Sequence, residues 1–147
     1  MARLSMQVRQ LAQTELHRIA PLRAALWPGS RIEDLASTLA AQPEYLVLIA
    51  LEDGEPAGFA EMSLRRDDAN GGGPTAFLEG ICVDPAHRRK GIARALVAKA
   101  LEWGRKRGIS EFASEALLAN GASHAFHRAI GFAEIERVVC FRRRIAA

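Results

Sequence analysis

The stretch VDPAHRRKGIARAL, Val83 to Leu96, decides how the fold is read: an apolar strand pattern ends at Val83, and by Ile92 an apolar periodicity of helical type has begun. Between the two stand His87, Arg88, Arg89, Lys90 and Gly91. A helix N-terminus carries partial positive charge and unpaired N–H groups, so cations gathered there are unfavourable unless an anion joins them. The spacing Arg88, Gly91, Ala93 puts small residues where a phosphate can approach successive backbone N–H groups. A P-loop would need GxxxxGK followed by Ser or Thr, and a dinucleotide fold GxGxxG; the stretch contains neither. The residues therefore predict an anion site at a strand-to-helix junction, with an ordinary basic helix start as the alternative.

Working outward, the helix can be tested at about 100° per residue. Ile92, Ala93, Leu96, Val97, Ala100, Leu101 and Trp103 fall on one half of the wheel, and Arg94, Lys99, Glu102, Arg105 and Lys106 on the other, with a stop near Gly108. Upstream, MQVRQL reads as a first strand and TELHRIAPLRAALW as a helix entered at Thr14 and restarted near Pro21. Ser30 to Ala41 reads as a second helix. Tyr45–Glu52 and Ala57–Arg65 read as a hairpin across DGEP, and Ala76–Asp84 as the strand leading into the basic stretch. Downstream come a strand at Ile109–Ala116, a helix at about Asn120–Ile130 and a last strand at Phe132–Ile145. The expected class is α/β: a mixed, largely antiparallel central sheet flanked by helices on both faces, with one parallel crossover at the anion site.

The 147 residues, 49% hydrophobic, suit a single domain over 1–147. Cys82 and Cys140 lie in apolar runs without metal-type spacing, which favours buried free thiols and a reducing cytoplasm; no metal site is expected. No signal-length or membrane-length apolar run occurs. The net charge of +3 raises nucleic acid as a partner, but 17 acidic residues face 20 basic ones and no aromatic residues interleave the basic clusters. A solvated basic surface is the simpler reading, with neither nucleic acid nor membrane as partner.

The run VDPAHRRKGIARAL, followed by NGASHAFHRAIGF (Asn120 to Phe132), resembles the two signature motifs of the GCN5-related N-acetyltransferase (GNAT) superfamily. LWPG at Leu26, the NG at Asn70, FLEGICV and GFAEIERVVCFRRR are similar to the aminoglycoside 6'-N-acetyltransferases. The resemblance implies acetyl-CoA as co-substrate. It implies pyrophosphate binding by Arg88, Arg89, Lys90, Gly91, Ile92, Ala93 and Arg94, where Ala93 replaces the glycine common in the superfamily. It implies that the main chain of Ile81, Cys82 and Val83 aligns the pantetheine arm and offers an oxyanion-hole N–H, worth of order 10² to 10³ in rate. Asn120 would touch the coenzyme arm, or cap its helix, or both.

Acetyl transfer to an amine needs a deprotonated amine and a stabilised oxyanion. Glu79 is the candidate base: by alternation in AFLEGICV it shares a face with Phe77, Ile81 and Val83, where a carboxylate is costly unless partnered. The competing reading is a structural ion pair with a nearby arginine. His127 stands where many relatives carry the tyrosine that protonates the leaving thiolate; His87, His124 and His17 have weaker claims. A polycationic acceptor needs several carboxylates. Asp67 and Asp68 in the glycine-rich loop, Glu79, Glu115 and Glu136 are available, and the resemblance adds Trp27 as a wall against a sugar ring and Asn70. Acceptors other than aminoglycosides (a polyamine, a small metabolite, a protein N-terminus) and a noncatalytic binding module are the alternatives. Finally, AEIERVVCFRRRIAA lacks turn residues, so one long strand is expected with Ile135, Val138, Val139 and Phe141 left to cover, which predicts a homodimer through this segment.

Overall fold

In the computed structural model, residues 5–67 and 71–146 are described, residue 67 by its backbone alone. Asp68 and Asn70, and the side chain of Asp67, lie outside the described set. Five strands form one sheet in the order β1-β2-β3-β4-β5: β1 Met6–Gln10, β2 Leu46–Glu52, β3 Glu55–Asp67, β4 Gly73–Val83 and β5 Phe112–Ser114. The first three pairings are antiparallel and β4 runs parallel to β5, with helix α3 (Ile92–Lys106) as the crossover. The expected α/β class is the observed one.

The first helical segment divides as the proline requires. A 3-10 helix covers Gln13–Ile19 and α1 follows at Ala20–Leu26 with Pro21 in its first turn, where the missing N–H has no intrahelical partner to lose. Helix α2 spans Ile32–Ala41. One face of the sheet packs Ala60, Met62 and Leu78 against Ile92, Leu96 and Ala100 of α3. The other packs Val47, Ile49 and Phe59 against Ile19, Leu22 and Leu35 of the N-terminal helices. β2 is buried along its whole length, as a strand covered on both faces must be. The wheel holds for α3 except that Leu101 is exposed and Gly104 is buried.

Two compact units divide the chain, Met1–Glu115 and Ala116–Ala147. The second contains α4 (Gly121–Ala129). The strand expected at Phe132–Ile145 is not formed: none of residues 132–146 has strand structure, and Ile135, Val138, Val139 and Phe141 are each more than 70% exposed. An extended apolar segment becomes a strand only when a neighbouring ladder accepts its backbone, and within this unit none does. Cys140 is consequently exposed rather than buried, while Cys82 is half-buried and its thiol is pushed up by burial. Both thiols are free.

Candidate active site

Strand β4 carries the central feature of the site. Pairing with β3 runs Ser63↔Phe77 and Met62↔Leu78, then jumps to Glu61↔Gly80, so Glu79 is the extra residue of a β-bulge. A bulge resets the alternation of faces. Leu78, Ile81 and Val83 pack on the α3 side, whereas Cys82 packs on the α1 side. The expectation that Glu79 shares a face with Ile81 and Val83 is therefore corrected. Glu79 turns with Phe77 toward Ser63 and Arg65. Glu79 Oε1 accepts from Ser63 Oγ at 2.5 Å and from Arg65 Nε and Nη2 at 3.1 and 2.8 Å, and Oε2 accepts from Arg65 Nη2 at 2.8 Å. The Arg65 guanidinium also lies 3.6 Å from the Phe77 ring centroid. The carboxylate is not stranded on an apolar face: the arginine pair read from the sequence as the competing role is present.

Beside the bulge stands Trp27. A Cβ at Gly80 would lie 2.5 Å from Trp27 Cη2, closer still to Cζ2, and 2.8 Å from Leu26 Cδ2, so only glycine fits under the ring. The indole is held by the Arg23 guanidinium, 5.0 Å from its centroid, and edge-on by Phe59. Arg23 is in turn fixed by Glu61, which is wholly buried and accepts from Arg23 Nε at 2.5 Å, from Nη2 at 3.1 Å and from Tyr45 Oη at 2.7 Å. Burial, then the Glu61 charge, pushes the Tyr45 phenol up. Sequence reading did not single out Arg23, Tyr45 or Glu61. The available signal was Glu61 itself, an acid inside the apolar strand AGFAEMSLR.

Beyond Leu78 the sheet opens. β5 pairs with Ala76, Phe77 and Leu78 only, so the β4 edge from Glu79 to Val83 has no β5 ladder. Main-chain groups of Ile81, Cys82 and Val83 on that edge are available to a ligand rather than to a neighbouring strand. The chain then makes a short 3-10 turn, Pro85–His87, capped by Asp84 accepting from Ala86 N–H at 2.8 Å. Arg89 (φ 64°) and Gly91 (φ 77°) follow in left-handed conformation. For a residue with a Cβ this costs roughly 1–2 kcal/mol, so Arg89 is locally strained and Gly91 is not. No side chain among the described residues caps α3; its first bond runs from Ala95 N–H to Gly91 O, which leaves the N–H groups of Ile92, Ala93 and Arg94 without intrahelical acceptors. A Cβ on Gly91 would meet no atom within 4 Å, so the backbone conformation, and no neighbouring side chain, demands glycine there. Arg88 and Arg89 are exposed, as is Arg94. Lys90 and His87 are instead engaged by Glu52 at the end of β2. The arrangement fits a pyrophosphate: strained backbone, free amides and exposed guanidinium groups at one helix start.

The remaining expected residues fall into two groups. Glu115 is exposed, one residue beyond β5. Asn120, His127 and Glu136 belong to the second unit. Asn120 caps α4, its side chain accepting from Ser123 N–H at 3.1 Å. His127 Nδ1 donates to Ser123 O at 2.7 Å, and its ring packs edge-on with Phe126 and Phe132. With Nδ1 donating, the neutral ring carries its lone pair on Nε2, so the residue could protonate a thiolate only as imidazolium. Glu136 is exposed.

Strand β4, bulged at Glu79 and released from β5 beyond Leu78, leads into a helix that starts without a capping side chain, an arrangement suited to an anionic ligand. The acetyltransferase (GNAT) family model matches residues 9–132, and the chain belongs to that family. Over 146 residues, 95% of this chain and 99% of the other, it is 40% identical to the aminoglycoside N(6')-acetyltransferase type 1 of Salmonella enteritidis. Among solved structures it is similar to AAC(6')-Iy in complex with the bisubstrate analogue CoA-S-monomethyl-acetylneamine, with a TM-score of 0.86, 37% identity, and 96% and 99% of the two chains covered. AAC(6')-Iy in complex with CoA gives a TM-score of 0.88 at 36% identity, covering 98% of each chain.

Proposed function

We propose that the protein transfers acetyl from acetyl-CoA to the 6'-amine of aminoglycosides by direct attack of the amine on the thioester. The observation that carries this reading is a carboxylate fixed on the β4 bulge, one residue before the glycine that Trp27 covers and on the same strand that leads into the anion loop. The named activity of relatives matched over nearly the whole chain supports the choice of acceptor.

The acceptor ammonium gives up one proton before attack; the freed amine nitrogen then bonds to the acetyl carbon, the C–S bond breaks, and a second proton leaves nitrogen for the departing thiolate or solvent. The thioester supplies the activated acyl group. Glu79 receives the ammonium proton, directly or through water, and its Oε2, which accepts only one of the four bonds to the carboxylate, is the less engaged oxygen. A β4 N–H among Ile81, Cys82 and Val83 stabilises the oxyanion. Arg88, Arg89 and Arg94 and the first-turn amides at Gly91, Ile92 and Ala93 bind pyrophosphate, with Lys90 contributing through its backbone. Asn120 adds a contact to the coenzyme arm, and His127 is the candidate acid, although a thiol pKa of about 8.5 lets a thiolate leave unaided. Trp27 walls the sugar, and Glu79, Glu115 and Glu136, with Asp67 and Asn70, supply polar and anionic partners for the polycation.

The reading takes residues 1–147 as one acetyltransferase domain, working in the cytoplasm without nucleic acid, membrane or metal. Among the described residues no helix is long and apolar enough to cross a membrane. The exposed Ile135, Val138, Val139 and Phe141 support a homodimer through the C-terminal segment, which light scattering at several concentrations tests directly. The functional test follows free thiol release from acetyl-CoA with kanamycin, tobramycin, spermidine and a peptide mixture as acceptors. Turnover with the two aminoglycosides is expected; turnover confined to spermidine or peptides would move the acceptor class.

A further inference from the structure

We propose that Glu52, outside the basic stretch and at the far end of β2, is a positioning residue that holds the anion loop in its binding conformation through His87 and Lys90. The inference rests on the coenzyme reading of that loop. Glu52 is 8% exposed. Its Oε1 and Oε2 accept from Lys90 Nζ at 2.9 and 3.2 Å, and Oε2 also pairs with His87 Nδ1. One buried carboxylate thus grips the loop on both sides of Arg88 and Arg89, the second of which is in left-handed conformation. Between the Asp84 turn and the first α3 bond, Glu52 thus ties the loop to the end of β2 at two points. The grip also explains why Lys90, unlike Arg88 and Arg89, is not a free charge.

The sign of the effect separates positioning from plain electrostatics. Glu52 is an anion beside a site for anions, so if it acted by charge alone, Glu52→Gln would tighten binding. If it positions the loop, the same change releases Lys90 and His87 and weakens binding. A loop left competent about one-tenth of the time raises the apparent Kd about tenfold. Lys90 lies on the same path, so Lys90→Met should weaken binding comparably, and the double variant should be no worse than either single one. A direct phosphate role for Lys90 would instead make the double variant clearly weaker.

Calorimetry with coenzyme A, together with steady-state kinetics on the full chain, decides the matter. The expected result is an approximately tenfold weaker Kd for Glu52→Gln and Lys90→Met, non-additive in the double variant, with acceptor KM unchanged. Equal or tighter binding by Glu52→Gln, or additive losses, overturns the role of Glu52 while leaving the coenzyme reading in place. Absence of coenzyme A binding by the unaltered protein overturns both. Lys90 is a surface residue with a 45% exposed side chain, so its variant keeps the test valid should Glu52→Gln prove unstable.

Discussion

Gly80→Ala is the smallest change that probes the acceptor wall. The added methyl would sit 2.5 Å from Trp27 Cη2 and 2.8 Å from Leu26 Cδ2, where carbon contacts settle at about 3.5–4.0 Å. Something must move by about 1 Å. The strand cannot move readily, because Gly80 is tied to Glu61 across the bulge. The indole cannot either, since Arg23 and Phe59 hold it and Arg23 is bonded twice to buried Glu61. Overpacking of this kind costs about 1–3 kcal/mol. At about 2–4 °C per kcal/mol for a chain of this size, a loss of about 2 kcal/mol lowers Tm by roughly 4–8 °C. A tilted Trp27 should also raise the acceptor KM while leaving the acetyl-CoA KM alone.

Thermal unfolding and two-substrate kinetics test both halves. Trp27→Phe removes the outer ring that meets the methyl, so the pair Gly80→Ala with Trp27→Phe should recover much of the lost Tm without recovering acceptor KM. A Tm within about 1 °C of the parent and an unchanged acceptor KM in Gly80→Ala would refute the packing argument.

Glu61→Gln should destabilise strongly, by about 3–5 kcal/mol, because it leaves the Arg23 charge buried without its partner; Arg23→Met with Glu61→Met should recover most of that in denaturant melts. The Glu15 carboxyl is lowered from 4.5 to about 2, chiefly by the Arg9 side chain, then by the Ala12 N–H. A depressed acid stabilises above its unfolded pKa and loses that contribution as pH falls through the folded one. Glu15→Gln should therefore lower Tm at pH 7, flatten its decline between pH 4.5 and 2, and differ least from the parent at about pH 2. Gly91→Glu should abolish acetyl-CoA binding by calorimetry in a folded protein, since it strains a left-handed residue and sets an anion at the anion site. Glu79→Gln should lower the rate at neutral pH and flatten its acid limb with coenzyme affinity retained; a profile of unchanged shape would reassign Glu79 to holding Arg65.

The stretch from Val83 to Lys106 was legible because local rules sufficed. A period of 3.6, a glycine before the first helical residue and cations where they repel all lie close in sequence, and α3 appears as expected. The bulge was not legible. Counting by twos from Phe77 through Glu79 reaches Ile81 and Val83, and one inserted residue sends them to the opposite face without any change in composition. The buried Arg23–Glu61 pair was hidden for a related reason: its members are 38 positions apart, and each alone resembles a surface charge. The same separation concealed Glu52 from Lys90. The C-terminal strand failed on a different ground, since strand structure is a property of a ladder and a single segment cannot supply one.

The two places where the chain leaves backbone groups unpaired lie on one strand–turn–helix path. Over Ala76–Leu78 both edges of β4 are paired; from Glu79 onward the β5 edge is released, and the bulge sets Gly80 under Trp27. At the start of α3 the helix has neither a capping side chain nor a relaxed approach, only left-handed Arg89 and Gly91 under a carboxylate brace. A chain optimised for stability alone would pair that edge and cap that helix. Both stay open along a single strand–turn–helix path, which is what the proposed coenzyme site requires. In the proposed reaction, the acid that the bulge turns out of line, Glu79, is the group that takes the proton from the amine.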